Sequence, residues 1–333
     1  MPDRGGRDAP FDAAGPSAVD VSVLMPMRDA GRFLGPAIAS ILAERRVRLE
    51  LIVIDDGSTD GSREFVIGLA DDRIRLVDGP RSGISACLNR GFEHATGSLL
   101  MRCDADDLYP AGRIAMQVDW LARRPGFVAV CGPFSMISPQ GQAVAAPQIR
   151  PARADDDDIA PQLLDGRLRT HLCTFAFRRD AVARIGVFRS FFETAEDIDF
   201  QLRLATAGPV GFLPADAYLY RLHDASITHN QASVLRRFFE ATARQMAQDR
   251  LRTGADALMR GEPVPLPDAQ GAAGRADDAG LHMAQLLVGE AWRALGEGRR
   301  GRAFRTAWRA VEAKPDYLDA WKSLLLVCVK PTR

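Results

Sequence analysis

The chain has 333 residues, with 43 basic and 43 acidic side chains, so its formal net charge is zero. Its length suits one large domain with an appendage or two domains, and a hydrophobic content of 47% provides for a sizeable core. The balanced charge, without an arginine-rich patch interleaved with aromatic residues, argues against a nucleic-acid-binding protein.

The cysteines are scattered, odd in number and form no CxxC pair; they are Cys87, Cys103, Cys131, Cys173 and Cys328. This pattern favours buried thiols in a reducing compartment over disulfides or a zinc site. Residues 1–19 contain no apolar signal segment and predict a disordered leader. No apolar run approaches the ~20 residues that span a bilayer. The sequence therefore predicts a cytoplasmic protein, and it leaves open peripheral contact at the inner face of the membrane.

The first third of the chain alternates apolar runs with helical patterns. Strands are predicted at 21–25, 49–54, 74–77 and 98–103, with helices at about 33–42, 62–69 and 83–94 between them. Runs that are apolar on both faces are typical of a parallel sheet covered by helices. The fold class predicted here is α/β, in an order typical of nucleotide-binding folds.

Beyond Pro110 the elements are less regular. Helices are predicted at about 112–123, 193–207 and 232–252, and strands at 127–131, 134–137, 172–177, 210–213 and 217–222. The acidic run at 155–158 is interpreted as a solvated helix start, because consecutive acids do not converge easily on one metal ion.

The last part of the chain divides in two. Residues 254–280 are rich in Pro, Gly, Ala and Asp and predict a linker. In residues 281–329, small residues, a central glycine turn and a proline after the second helix are similar to the helical unit of tetratricopeptide repeats. This segment is expected to pack on the domain at residues 20–253 or to mediate self-association.

The stretch 98–110 carries clustered carboxylates at the end of a predicted strand: Asp104, Asp106 and Asp107. The carboxyl edge of an open α/β sheet is where ligands bind. Clustered acids repel each other unless a cation or hydrogen-bond donors neutralise them. The acids predict either a Mg²⁺ or Mn²⁺ site shared with substrate phosphates or an acidic loop that caps the next helix.

Taken with its neighbours, this stretch resembles the family 2 glycosyltransferases. The matching segments span residues 21–229 and read VSVLMPMRDAGRFLGPAIASIL, LELIVIDDGSTDGS, GISACLNRGFEHATGSLLMRCDADDLYP, AEDIDFQLRLATAG and YRLHDASITH. The resemblance implies a GT-A fold, with a mixed, mostly parallel central sheet flanked by helices, over residues 20–253, followed by a small all-α extension.

The resemblance also implies a donor-binding site. Pro26 would line the nucleotide pocket with its backbone, and Asp56 would accept the imide N–H of uracil. The alternative for Asp56 is capping of the DDGSTDGS turn. Arg81 would meet the base or the diphosphate, or be a solvated loop arginine. Asn89 would order the acidic loop.

For the acids themselves, the resemblance implies that Asp104 contacts ribose and that Asp106 coordinates Mn²⁺ or Mg²⁺. His223 would complete the metal shell, unless it is an ordinary paired histidine. Asp197 would be the catalytic base, with Glu196 orienting a substrate. The alternative is that these two acids only stabilise a helix N-terminus.

The predicted activity is inverting, metal-dependent transfer of one sugar from a nucleoside diphosphate donor, with UDP favoured, to a glycan, lipid-linked or protein hydroxyl. Two other functions are the alternatives. A non-catalytic scaffold could retain the pocket and bind nucleotide or glycan. A nucleotidyltransferase usually has a glycine-rich loop after the first strand, and the segment PMRDAGRF lacks one.

Overall fold

The structure is a computed structural model, and it describes residues 19–145, 151, 158–223, 233–266, 279–296 and 298–329. Four predictions therefore lie wholly or partly outside the described residues: the leader, most of the acidic run at 155–158, the DASITH segment and the middle of the linker. The chain forms two compact units. The first comprises Met1–Phe134, Gln148–Leu219 and Phe238–Leu266, and the second Ser135–Pro147, Tyr220–Arg237 and Pro267–Arg333.

Within the described residues, the strands form one seven-stranded and one three-stranded sheet. In chain order they are β1 Val21–Met27, β2 Leu49–Asp55, β3 Ile74–Asp78, β4 Leu99–Arg102, β5 Ala129–Cys131, β6 Phe134–Ile137, β7 Ala143–Ala145, β8 Ala176–Arg178, β9 Val210–Phe212 and β10 Tyr218–Arg221. The larger sheet has the order β3-β2-β1-β4-β8-β5-β9, and the smaller has the order β10-β6-β7.

The first four strands are parallel, as their apolar runs predict. Strand β1 pairs in parallel with both β2 and β4, so that Leu24 lies opposite both Ile52 and Arg102. Strand β8 departs from this order, because it is antiparallel to β4 and to β5. The sheet is therefore mixed but mostly parallel, which confirms the predicted fold class.

Most of the helices lie close to their predicted positions. They are α1 Leu34–Leu42, α2 Ser62–Gly68, α3 Ile84–His94, α4 Arg113–Ala122, α5 Ala160–Leu164, α6 Arg179–Ile185, α7 Glu196–Ala207, α8 Ser233–Thr253, α9 Ala279–Gly296, α10 Arg300–Ala313 and α11 Leu318–Val329. Short 3₁₀ turns lie at Gly31–Phe33 and Leu172–Thr174. Helix α7 begins three residues later than predicted, because Ala195 adopts a left-handed conformation with φ of 59° directly before it.

A set of buried phenylalanines packs α3 and α7 together against the sheet. The Phe188 and Phe200 rings stack at 4.4 Å between centroids, and Phe92 stacks on both at 5.6 and 6.0 Å. Phe177 of β8 meets Phe200 edge-on at 5.3 Å. Such pairs add roughly 0.5–1.5 kcal/mol each beyond burial of their area. They fix where the first turn of α7 lies relative to β4 and β8.

The second unit has a core of its own. Helices α9, α10 and α11 contact one another through small side chains such as Ala291, Ala303, Ala307 and Ala320. Small residues allow helix backbones to approach closely, and the predicted pattern of small residues is thus explained. The likeness to tetratricopeptide helices stays a prediction. Among the described helices, none combines the length and the apolar character that crossing a bilayer requires.

Candidate functional site

The carboxyl ends of β1, β2 and β4 lie side by side, because β1 pairs in parallel with both neighbours. Pro26 lies opposite Ile54, and the N–H of Asp56 donates to the carbonyl of Met27 at 2.8 Å. Asp104 follows β4 directly after Cys103. The predicted donor residues Pro26, Asp56 and Asp104 are therefore brought to one edge of the sheet, where ligands bind in open α/β folds.

The two acids that end β2 have different partners. Asp55 is buried and accepts hydrogen bonds from the Ser58 N–H at 2.9 Å and from Nη1 of Arg63 at 3.1 Å. Burial alone would raise the pKa of Asp55, but these hydrogen bonds and the charge of Arg63 hold the pKa below its ordinary value. Asp55 thus braces the turn, and Asp60 supports it through the Ser62 N–H at 2.9 Å.

Asp56 is only half-buried, and it accepts a bond from the backbone N–H of Arg81 at 2.7 Å. Arg81 itself is exposed and has a φ of 54°. Its side chain passes so close to Gly57 that a Cβ there would lie 2.7 Å from Nε. The structure thus brings together two of the predicted donor-binding residues, and it leaves their side chains accessible to a ligand.

The acidic loop after β4 is anchored by an arginine inside the strand. Nε and Nη2 of Arg102 donate to the two carboxylate oxygens of Asp104, at 2.7 and 3.3 Å. The Cys173 thiol lies 3.7 Å from Oδ2 of the same carboxylate. Burial raises the pKa of Asp104, but the charges of Arg102 and His171 outweigh it and hold the pKa below the ordinary value. Asp104 is therefore ionised while it accepts the hydrogen bonds of Arg102.

Aromatic side chains support this loop from below. The N–H of Asp104 donates to the Tyr218 hydroxyl at 3.0 Å, and the Tyr109 hydroxyl donates to the carbonyl of Arg102 at 2.8 Å. The Arg113 guanidinium lies over the Tyr109 ring at 3.9 Å, and His171 stacks on Tyr218 at 5.7 Å. Because both hydroxyls bind main-chain atoms, they fix the loop's backbone rather than its acids.

The other two acids of the loop differ in exposure. Asp106 is half-buried, whereas Asp107 is only 1% exposed. No group of three or more His, Cys, Asp or Glu side chains converges as a metal cage within the residues that the structure describes. A half-exposed carboxylate such as Asp106 suits Mg²⁺ or Mn²⁺, since Mg²⁺ is usually held by one or two carboxylates plus substrate phosphates.

The predicted YRLH segment, residues 220–223, lies in the second unit. His223 follows β10 and is half-buried. Arg221 is buried, and its Nη1 donates to the carbonyls of Ser138 and Pro139 at 3.3 and 3.0 Å. Arg221 therefore holds the turn between β6 and β7.

The first turn of α7 carries the predicted catalytic acids. Glu196 is 8% exposed and accepts a bond from Nη1 of Arg102 at 3.2 Å, whereas Asp197 is half-exposed. Burial, followed by the neighbouring charge of Asp197, raises the pKa of Glu196 above its ordinary value, and Arg102 opposes that rise. The structure thus links Glu196 to Asp104 through one guanidinium and leaves Asp197 reachable from solvent.

A buried ionic network fixes the base of this turn. Asp199 accepts a bond from Nε of Arg203 at 2.8 Å, and Nη1 of Arg189 lies 3.7 Å from its other oxygen. Nη1 of Arg189 also donates to the fully buried Asp256 at 2.8 Å, which accepts a second bond from Arg250. The segment at Asp256 is thereby tied to the start of α7.

Asn89 acts on the same region. Its amide donates to the carbonyl of Phe188 at 2.8 Å and accepts from the Phe188 N–H at 2.9 Å. It therefore orders the loop before α7 rather than the acidic loop for which it was predicted.

Sequence reasoning missed Arg102, Tyr218 and Cys173 as parts of the site. For Arg102 a signal exists, because it is the one charged residue in the otherwise apolar strand β4 and precedes the acids by two positions. A buried guanidinium needs a charged or polar partner, so this pattern indicates an ion pair. Tyr218 and Cys173 give no such signal, since aromatic and thiol side chains are ordinary in apolar runs.

Solved structures of other proteins share this architecture. A crystal structure of S. aureus TarS 1–349 in complex with UDP-GlcNAc has a TM-score of 0.56 and 15% identity, covering 90% of this chain and 83% of that one. The mannosyltransferase PcManGT from Pyrobaculum calidifontis, in complex with GDP-Man and Mn²⁺, has a TM-score of 0.51 and 21% identity, covering 95% of this chain and 90% of that one. These likenesses define the fold class as that of the GT-A glycosyltransferases.

Sequence comparison gives the family. The model of glycosyl transferase family 2 matches residues 22–186. The putative glycosyltransferase EpsE of Bacillus subtilis is 31% identical over 218 residues, which cover 63% of this chain and 75% of EpsE. The chain belongs to glycosyltransferase family 2. It spans 32% of the length of each of three further curated glycosyltransferases that it matches, two from Rickettsia and one from Nostoc.

Proposed function

We propose that this protein transfers one sugar from a nucleoside diphosphate donor to an acceptor hydroxyl. The observation that supports the proposal most is the bonded series Asp104–Arg102–Glu196, which joins chain segments 94 residues apart. It places the acidic loop at the edge of the sheet beside the first turn of α7. A transferase needs both, since one group must hold the donor diphosphate and another must face the acceptor.

The donor is proposed to be a UDP-sugar. Asp56 offers carboxylate oxygens at the end of β2, where the imide N–H of uracil can donate to them. Pro26 lies at the same edge, and Arg81 is exposed beside Asp56, where a guanidinium can meet the base or the diphosphate. The complexes of TarS with UDP-GlcNAc and of the mannosyltransferase with GDP-Man agree with a nucleotide sugar of this general kind.

A divalent cation, Mn²⁺ or Mg²⁺, is proposed to bind at Asp106, and a role for His223 as a ligand stays a prediction from the resemblance. Asp104 is engaged by Arg102 in both carboxylate oxygens, so we assign ribose contact to its remaining lone pairs and the cation to Asp106. When bound, such a cation neutralises charge that develops on the departing nucleoside diphosphate.

Asp197 is proposed to be the general base. It is the half-exposed member of the Glu196–Asp197 pair and lies in the first turn of α7, where the helix N-terminus favours the ionised carboxylate. Direct displacement at the anomeric carbon requires a carboxylate that takes the hydroxyl proton as attack develops. The product then has the opposite anomeric configuration, so that an α-linked donor gives a β-glycoside.

The experiment is a UDP-sugar panel with Mn²⁺ in which release of UDP is measured, followed by NMR of the product's anomeric proton. Asp197→Asn should retain UDP binding and lose turnover by about 100-fold or more. Glu193→Gln is the matched control, because Glu193 is an exposed acid three residues before α7. Full activity of Asp197→Asn would refute the assignment of the base, and binding without turnover by the unaltered protein would favour a scaffold.

The acceptor is proposed to be a glycan, a lipid-linked sugar or a protein hydroxyl. Peripheral membrane contact and self-association are proposed for the C-terminal helices, because several of their large apolar side chains are exposed: Phe304, Trp308, Trp321 and Leu325. Light scattering of the full chain, and its sedimentation with anionic or neutral vesicles, distinguish the two.

A further inference from the structure

Arg102 occupies an unusual place for a charged residue. It ends β4, whose other residues are Leu99, Leu100 and Met101, and it is only 8% exposed. Taking a guanidinium out of water is costly unless carboxylates and hydrogen bonds compensate it. The fold retains this cation inside a buried strand, so the partners of the guanidinium indicate its role.

Those partners lie on the two sides of the proposed reaction. Nε and Nη2 of the guanidinium donate to the two carboxylate oxygens of Asp104 at 2.7 and 3.3 Å, and the third nitrogen, Nη1, donates to Oε1 of Glu196 at 3.2 Å. A planar guanidinium holds its donors in a fixed fork, so the two carboxylates cannot move independently of each other. Lysine, with a point charge on a flexible stem, cannot impose that arrangement.

The two carboxylates depend on Arg102 to different degrees. Asp104 has other contacts, with the Cys173 thiol at its carboxylate and the Tyr218 hydroxyl at its N–H. In the part of the chain that the structure describes, Arg102 is the one side chain hydrogen-bonded to the carboxylate of Glu196. Glu196 is buried and lies beside Asp197, so the loss of Arg102 would leave the Glu196 carboxylate next to a second acid with no cation bonded to it. Arg102 therefore matters most on the α7 side.

We propose that Arg102 is a positioning residue for the transfer reaction: it locks the acidic loop after β4 to the first turn of α7 and thereby sets the separation between the donor side and Asp197. This inference rests on the proposed function. Arg102 is buried and need not touch either substrate, so its effect is expected on the rate of the chemical step more than on donor binding.

The first test separates positioning from general stability. Arg178→Met is the matched control, because Arg178 lies opposite Leu99 of β4 and its guanidinium donates to the backbone carbonyls of Phe127 and Leu121. Arg102→Met should lower kcat about 100-fold, as expected for a misplacement near 1 Å, with donor KM changed less than about fivefold. Arg178→Met should lower the melting temperature and leave kcat within about twofold.

Arg102→Lys provides the conservative comparison. It should recover most of the melting temperature lost in Arg102→Met but remain at least about tenfold low in kcat, because it supplies charge without the fork. In a Glu196→Gln background, Arg102→Met should lower kcat less than about threefold further, since the connection is already weakened. Full recovery of kcat by lysine, or independent multiplicative effects of the two changes, would overturn the proposal.

A second readout does not require turnover. Hydrogen exchange of peptides covering 103–109 and 196–207 should increase together in Arg102→Met and in neither segment of Arg178→Met. If the unaltered protein transfers no sugar from any donor, the proposed function fails, and this measurement alone decides the positioning role. Unchanged exchange in both peptides would then refute it.

Discussion

Asp256 offers a sharp test of how the first turn of α7 is held. Its side chain is fully buried and accepts bonds from Arg189 at 2.8 Å, from Arg250 and from the Met259 N–H at 2.9 Å. Asp256→Asn preserves the size of the side chain and can preserve the bond to Met259. It removes the negative charge that faces the two guanidinium groups, which then remain buried with less compensation.

Removing one partner from a buried ion pair typically costs 3–5 kcal/mol, so we expect Asp256→Asn to lower the free energy of unfolding by about that much. Domains of ordinary stability have roughly 5–15 kcal/mol in total, and the variant should therefore unfold at a clearly lower urea concentration. Activity should fall as well, because Arg189 also approaches Asp199, two residues after Asp197.

The measurement is urea unfolding followed by circular dichroism, with slopes compared to ensure that the same transition is observed. Glu93→Gln is the control, because its ion pair with Arg90 spans i to i+3 on the surface of α3 with both side chains about half-exposed. Such pairs contribute about 0–1 kcal/mol. A loss in Asp256→Asn as small as that of Glu93→Gln would show that the network does not stabilise the unit, and the reasoning would be wrong.

Three further predictions concern other parts of the chain. Gly97→Ala should lower the free energy of unfolding in urea by about 1–3 kcal/mol, because a Cβ at this position would lie 2.5 Å from the Ser22 backbone nitrogen. Gly68→Ala has open space around the new Cβ and should raise the free energy of unfolding by about 0.5–1 kcal/mol. Equal effects of the two substitutions would refute the steric argument. Burial raises the pKa of Asp55, but its hydrogen bonds outweigh burial and lower the pKa, so the contribution of Asp55 to stability is present above pH 3.8 and is lost as the pH falls through the pKa of the folded state. Asp55→Asn should therefore make the urea midpoint less dependent on pH in acid. An unchanged pH dependence would contradict this. Ellman's reagent should find one fast thiol in the native protein, and Cys328→Ser should abolish it, because the other four cysteines are buried; several fast thiols would contradict the structure.

Local pattern accounts for much of the fold. Strands β1, β2 and β4 could be predicted from their nearly continuous apolar runs, and each strand is buried over nearly its whole length. The short strand β7 and helix α6 were not predicted, because three to seven residues carry too little periodicity. The antiparallel direction of β8 depends on a chain reversal that no residue in β8 signals.

The candidate site also has parts that the sequence predicts and parts that only the tertiary fold reveals. Asp104 follows its strand and Glu196 lies in the first turn of its helix, but nothing in the spacing indicates that one guanidinium joins them. The bond between Asp199 and Arg203 spans i to i+4 and follows from helix geometry. The link from Arg189 to Asp256 does not, because 67 residues separate the partners and only the tertiary fold brings them together.

The way in which the second unit is assembled limits how the protein can be divided. Its residues come from three stretches, 135–147, 220–237 and 267–333. Deleting everything after Leu266 would remove α9 to α11 but leave Val144 and Leu222, which are buried in the same cluster as these helices, facing water. Such a shortened chain would expose a new apolar surface and tend to aggregate. Domain exchange between relatives must therefore transplant segments 135–147 and 220–237 together with the C-terminal helices.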